Sequence, residues 1–254
     1  MEKKMSTNAT AKVALVTGAA KRIGAALARA LHQEGFSILI HYDTSDTDAK
    51  SLQAELETLR PDSAHCLSAD LSDFLAVEQL AKEAISVWGH IDVLINNAAR
   101  FYPSEVGSLT ANNWDDLINI NLRAPLFLSQ ALAETLKHRL GCILNLVDIY
   151  AERPLKGHPI YSISKAGMTM LTKSLAIELG PEVRVNGIAP GAILWPGQAV
   201  DINTTEKERV LNRVALKKMG NPQDICQAAL FLINQAPYIT GQIINVDGGR
   251  TLNP

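Results

Sequence analysis

Apolar residues along the chain gather in short, β-branched runs, separated by longer stretches in which they recur every three or four positions. The first run is Val13, Ala14, Leu15 and Val16. Past Gly24 come Leu27 and Leu31 at helical spacing, so the chain opens as a strand followed by a helix. The same alternation predicts strands over 36–42, 65–69 and 91–95, with helices over 49–59 and 77–87 between them. It continues with a long helix over 122–138, a strand over 142–147, a helix over 160–179, a strand over 183–188, a helix over 222–233 and a strand over 242–246. The strands are almost continuously apolar rather than alternating, as in a parallel sheet covered by helices on both faces. The pattern predicts an α/β fold: a single Rossmann-type, doubly wound parallel sheet. No linker or change of composition divides it, so residues 1–11 read as a flexible N-terminal segment and 12–254 as one domain. Residues 193–206 lack periodicity and read as a mobile loop near a site.

Composition narrows the classes of function. The 254 residues carry 24 Lys and Arg against 26 Asp and Glu, a net charge of −2, so no basic excess draws the chain to nucleic acid. With 47% hydrophobic and 20% charged residues it has the balance of a soluble globule. The three cysteines lie far apart, which argues against a disulfide framework or a metal site. No run of eighteen apolar residues occurs, and the first dozen residues lack an apolar segment of signal-peptide type. A cytoplasmic protein with neither membrane nor nucleic-acid partners is expected.

Candidate chemistry collects at the carboxyl ends of the predicted strands, where parallel α/β sheets bind ligands. A glycine-rich turn, Thr17-Gly18-Ala19-Ala20-Lys21-Arg22-Ile23-Gly24, joins the first strand to its helix. Such a turn lets a pyrophosphate approach the backbone and meet the amides of the helix N-terminus. Asp70 ends the third strand and Asn96-Asn97-Ala98 ends the fourth. Tyr161 and Lys165 stand four apart on a predicted helix and share a face, where an ammonium is expected to lower the phenol's pKa.

Together with Asn121, Asn186, Pro190-Gly191 and the ending Ile239-Thr240-Gly241 to Asp247-Gly248-Gly249, these residues resemble the short-chain dehydrogenase/reductase family across essentially the whole chain. Within it the sequence looks most like the pteridine reductases. Arg22 stands where most members carry the middle glycine of the turn, and Phe101-Tyr102-Pro103 follows the Asn-Asn-Ala stretch. Asp148 lies thirteen residues before Tyr161, where most members carry a catalytic serine.

The resemblance implies reduction of a dihydropterin or dihydrofolate-type ring by hydride transfer from NADPH, with Tyr161 and Asp148 managing the proton. Lys165 would hold the nicotinamide ribose, and Asn121 a water relay to that lysine. The coenzyme would lie against Gly18, Arg22, Ile23, Gly24, His41, Ser45, Asp70, Leu71, Asn97, Ala98, Pro190 and Gly191, as well as Tyr161 and Lys165. The pteridine would meet Arg22, Phe101, Asp148, Tyr161 and Trp195, with 193–215 as the substrate loop. Assembly as a homotetramer through helices 122–138 and 160–179 is implied too. One position departs from the pattern. Thr44 stands where pteridine reductases carry a phosphate-binding arginine, and the neighbouring Asp43 suits the ribose of NAD, leaving Arg22, His41 and Ser45 as phosphate partners. Reduction of another small carbonyl, such as a 3-oxoacyl thioester or a sugar, and a nucleotide-binding sensor without turnover stay open as alternatives at this stage.

Overall fold

The computed structural model describes residues 11–193 and 204–252. Residues 1–10 of the N-terminal segment, Trp195 and much of the 193–215 loop lie outside the described residues. Seven strands form one sheet: β1 (Val13–Val16), β2 (Ser37–Tyr42), β3 (Ala64–Ser68), β4 (Val93–Asn96), β5 (Cys142–Leu146), β6 (Arg184–Pro190) and β7 (Ile243–Val246). All pairings are parallel, in the order β3-β2-β1-β4-β5-β6-β7. The chain leaves β1 in one direction to build β2 and β3, and in the other to build β4 onward. Between β1 and β4 the connections diverge and open a crevice.

Alternate residues of each strand enter opposite cores, which explains the unbroken apolar runs. Val13 and Leu15 pack with Leu39 and Ile143 on one face, whereas Ala14 and Val16 pack with Ile38, Ile40 and Leu144 on the other. The first face is covered by α3 (Phe74–Trp88), by the helical stretch made of α4 (Ala111–Ile118), α5 (Ala124–Ala131) and α6 (Ala133–His138), and by α7 (Pro159–Glu178). The second is covered by α1 (Arg22–Gln33), α2 (Asp46–Leu59) and α9 (Pro222–Leu230). The remaining helix, α8, spans Thr204–Arg213.

Two helices depart from the sequence pattern. The helix expected from 122 begins at Ala111, because Thr110 and Asn113 form a reciprocal capping box ahead of a largely polar first turn that shows no apolar stripe. Its continuation passes through a π-helical turn, Asn119–Arg123, that holds Asn121 in the buried interior rather than near a helix start. α8 is so polar, Thr-Thr-Glu-Lys-Glu-Arg, that periodicity could not reveal it.

Candidate active site

A cleft of about 580 Å³ opens over the carboxyl ends of the central strands. That volume suits a small-molecule or cofactor site. Of the expected residues, Gly18, Arg22, Ile23, Gly24, His41, Ser45, Leu71, Asn97, Ala98, Asp148, Tyr161, Lys165, Pro190 and Gly191 line it. Asp70, Phe101 and Asn121 are not part of that lining.

The turn before α1 is held by contacts that leave no room for a side chain at Gly18 or Gly24. A Cβ on Gly24 would stand 2.3 Å from the Gly18 carbonyl oxygen, and Gly18 itself has φ +60° with Ala98 packed against it. Thr17 Oγ1 accepts the amides of Asn97 and Ala98 at 2.9 and 3.0 Å, and Asn97 Nδ2 donates to the Thr17 carbonyl at 2.8 Å. The turn and the end of β4 therefore form one rigid unit. Arg22 adopts φ +52°, a left-handed conformation that costs a non-glycine residue roughly 1–2 kcal/mol. That conformation accounts for the glycine expected there in most relatives, and the surrounding packing sustains it in arginine. The N-cap Lys21 makes no side-chain cap, so the positive end of α1 faces the cleft without an internal anion.

The structure gives His41 a different task from phosphate binding. Its Nδ1 accepts the Gly18 amide at 3.1 Å, which leaves the proton on Nε2 to bond the Ala69 carbonyl at 3.1 Å. Burial pulls its pKa down to about 4, so the ring is a neutral bridge from the turn to the end of β3. Asp70 likewise serves its own loop, accepting the Ser72 amide at 2.8 Å.

At the opposite end of the cleft, Tyr161 Oη donates to Asp148 Oδ2 at 2.7 Å, and Asp148 Oδ1 accepts the Tyr150 amide at 2.9 Å. Lys165 Nζ donates to the Leu146 carbonyl at 2.8 Å and lies 5.8 Å from the centre of the Tyr161 ring. Burial lowers the lysine to about 8, with Asp148 opposing. Burial also raises Asp148, against the pull of the Tyr150 amide, Tyr161 and Lys165. Tyr161 is displaced upward, first by burial and then by the carboxylate beside it. The expectation that Lys165 lowers the phenol's pKa is therefore corrected: burial and then Asp148 raise it, and Tyr161 is held as a protonated donor.

Phe101 stands beside this pair. Its ring meets Tyr161 edge-on, with centroids 4.8 Å apart, and one face is stacked on His158 at 4.7 Å and 8° between planes. The ring is still 49% exposed. His158, which no motif singles out, thus backs the aromatic wall. Asn121 makes no direct hydrogen bond to Lys165: its Oδ1 accepts the Arg100 amide at 2.8 Å, and its Nδ2 donates to the Arg100 carbonyl at 3.0 Å and to Ser164 Oγ at 3.1 Å. It ties the loop after β4 to α7. Arg100 also lines the cleft and was missed, since nothing local in the sequence marks it.

The fit to a dinucleotide rests on this chemistry: a tight glycine turn, an uncapped helix N-terminus with Lys21 and Arg22 beside it, and a buried lysine at the far end. Comparison with known proteins agrees. Residues 18–251 match the family model described as enoyl-(acyl carrier protein) reductase. Pteridine reductase 1 of Leishmania tarentolae is 36% identical, over 98% of this chain and 99% of its own length. A 3-oxoacyl-(acyl-carrier-protein) reductase of Staphylococcus aureus is 35% identical, over 94% and 97%. Among solved structures, a blue fluorescent protein from a metagenomic library in complex with NADPH superposes with a TM-score of 0.88 at 32% identity, covering 94% of this chain and 97% of that one.

Proposed function

The chain belongs to the short-chain dehydrogenase/reductase family, and from that premise we propose that it reduces a pteridine ring of the dihydropterin or dihydrofolate type with NADPH. The observation that carries the reading is the Tyr161 to Asp148 hydrogen bond of 2.7 Å. A ketone oxygen asks only for donors. A pteridine presents ring nitrogens that accept beside N–H groups that donate, and a carboxyl next to a phenol answers both. The half-exposed Phe101 supports the reading, because a flat heterocycle gains stacking as well as burial against it. The similarity to a pteridine reductase supports it too, while the 3-oxoacyl-(acyl-carrier-protein) reductase of nearly equal identity supplies the competing substrate class for the test. The neighbour solved with NADPH supports that coenzyme.

When bound, the coenzyme supplies the hydride. Gly18, Ile23 and Gly24 would shape the bed for its pyrophosphate, and Lys165 would hold its nicotinamide ribose. Each reduction consumes one proton, and the buried Tyr161 and Asp148 pair stores it. The phenol stays protonated because burial opposes its ionisation, and it hands its proton to the ring nitrogen. Asp148, raised by burial, keeps a proton to higher pH than an exposed aspartate would and restores the phenol.

The assembly proposed is a cytoplasmic homotetramer. Ile163, Met170 and Ile177 recur every seven residues along α7 and are 48%, 62% and 80% exposed, an apolar stripe suited to a neighbouring subunit. Coenzyme oxidation followed at 340 nm should show efficient turnover of dihydrobiopterin or dihydrofolate. Efficient reduction of an acetoacetyl thioester with no activity on either pteridine would overturn the reading.

A further inference from the structure

Thr44 stands where the resemblance implies a cation, and an arginine from another part of the chain lies beside the neighbouring Asp43. Arg100 follows β4 and lines the same cleft as Asp43, Thr44 and Ser45. Both polar atoms of its main chain are bonded to Asn121, so the base of the side chain is fixed. Guanidinium Nη1 donates to Asp116 Oδ1, and the other oxygen of that carboxylate accepts from Tyr102 Oη at 2.8 Å. Asp116 thereby orients the guanidinium by one edge. At the other edge, Nη2 stands 3.7 Å from Asp43 Oδ2, beyond a normal hydrogen bond. A partly exposed ion pair at that separation is weak and easily exchanged for a better anion. A phosphate is one, because its oxygens match the guanidinium fork. Of the other basic residues lining this end of the cleft, Lys21 is already paired with Asp48 at 2.9 Å, His41 is a neutral bridge, and Arg22 belongs to the glycine turn at the start of α1, where the pyrophosphate is expected.

We propose that Arg100 selects the phosphorylated coenzyme: its guanidinium, oriented by Asp116, exchanges Asp43 for the 2′-phosphate of the adenosine ribose. The proposal rests on the NADPH reading above and names the residue responsible for it. Arg100 does from the loop after β4 what a basic residue at position 44 would do from the end of β2. It also neutralises Asp43, which alone would repel a 2′-phosphate and suit the hydroxyls of an unphosphorylated ribose.

The test is calorimetric binding of adenosine 2′,5′-bisphosphate and of 5′-AMP to the full chain, repeated with Arg100→Met, Arg100→Lys and Asp43→Asn, together with fluorescence titration of NADPH and NADH. Loss of a charge-assisted fork should weaken the bisphosphate about 10- to 100-fold in Arg100→Met and leave 5′-AMP within about 2-fold, which also shows that the variant is folded. Arg100→Lys should recover part of the loss, and Asp43→Asn should tighten the bisphosphate. The preference for the bisphosphate should shrink with salt in the parent far more than in Arg100→Met. An equal loss of both ligands, or no change in their ratio, overturns the role of Arg100. A parent protein that prefers 5′-AMP and NADH overturns the coenzyme reading itself, which is a separate outcome.

Discussion

Asp148→Asn keeps the shape that Tyr161 bonds to and removes the proton that the carboxyl stores. Turnover of a dihydropterin should fall about 10²-fold or more, with coenzyme affinity nearly unchanged. Asp148 must be protonated to resupply Tyr161, so parental kcat should fall as pH rises through its displaced pKa, and the variant should lose that limb. The stability effect has the same sign. Burial raises the folded pKa above 3.8, so the folded chain binds a proton that the unfolded chain has lost, and stability declines as pH rises through the interval. The asparagine variant should therefore melt above the parent at pH 8, with the gap closing toward pH 3; an unchanged kcat and pH profile would reduce Asp148 to an orienting group. Phe101→Ala should raise the pteridine KM about 2- to 10-fold, the value of a stacked aromatic, and leave coenzyme binding intact.

At the scale of elements, the cleft depends on how the β1 turn, β2 and β3 are joined, and His41 is the joint. It bonds the turn through Gly18 and the end of β3 through Ala69, and it must be neutral to do so. Its folded pKa of about 4 lies below the ordinary 6.5, so the folded state resists protonation and stability is lost as pH falls from 6.5 toward 4. Melting curves between pH 7 and 4.5 should show this decline, and His41→Asn should flatten it; an equal slope in both proteins would assign the acid sensitivity elsewhere. The π turn at Asn119–Arg123 works in the same way from the other face. It turns Asn121 inward so that one side chain clamps Arg100 to α7 through Ser164.

For the whole molecule, the parallel order β3-β2-β1-β4-β5-β6-β7 sets which strand ends share the crevice. It also turns the apolar stripe of α7 outward, away from both cores. The proposed tetramer predicts that Met170→Glu combined with Ile177→Lys cuts the mass seen by light scattering from four subunits to fewer while the subunit stays folded. A persistent tetramer would place the subunit contact on another face.

Much of the fold was legible because it is written locally. Apolar runs mark strands buried on both sides, helical spacing marks the covering helices, and Tyr161 and Lys165 share a face because four residues make about one turn. The polar helices α4 and α8 escaped because they lack the apolar stripe on which that reading depends. The glycine turn, Asp148 and Phe101 stood out as motifs, but what they touch depends on neighbours that the sheet brings together. β2 and β4 lie on either side of β1, so the segments that follow them meet above it, and Asp43 faces Arg100 across more than fifty residues of chain. The reversal of Tyr161's expected pKa shift has the same origin: packing buries the phenol and brings the Asp148 carboxylate to it from the end of β5, whereas the lysine one helical turn away bonds the Leu146 carbonyl. Periodicity reports which face of an element is buried; only the packed sheet decides which charges share a cleft, because that depends on strand order rather than on distance along the chain.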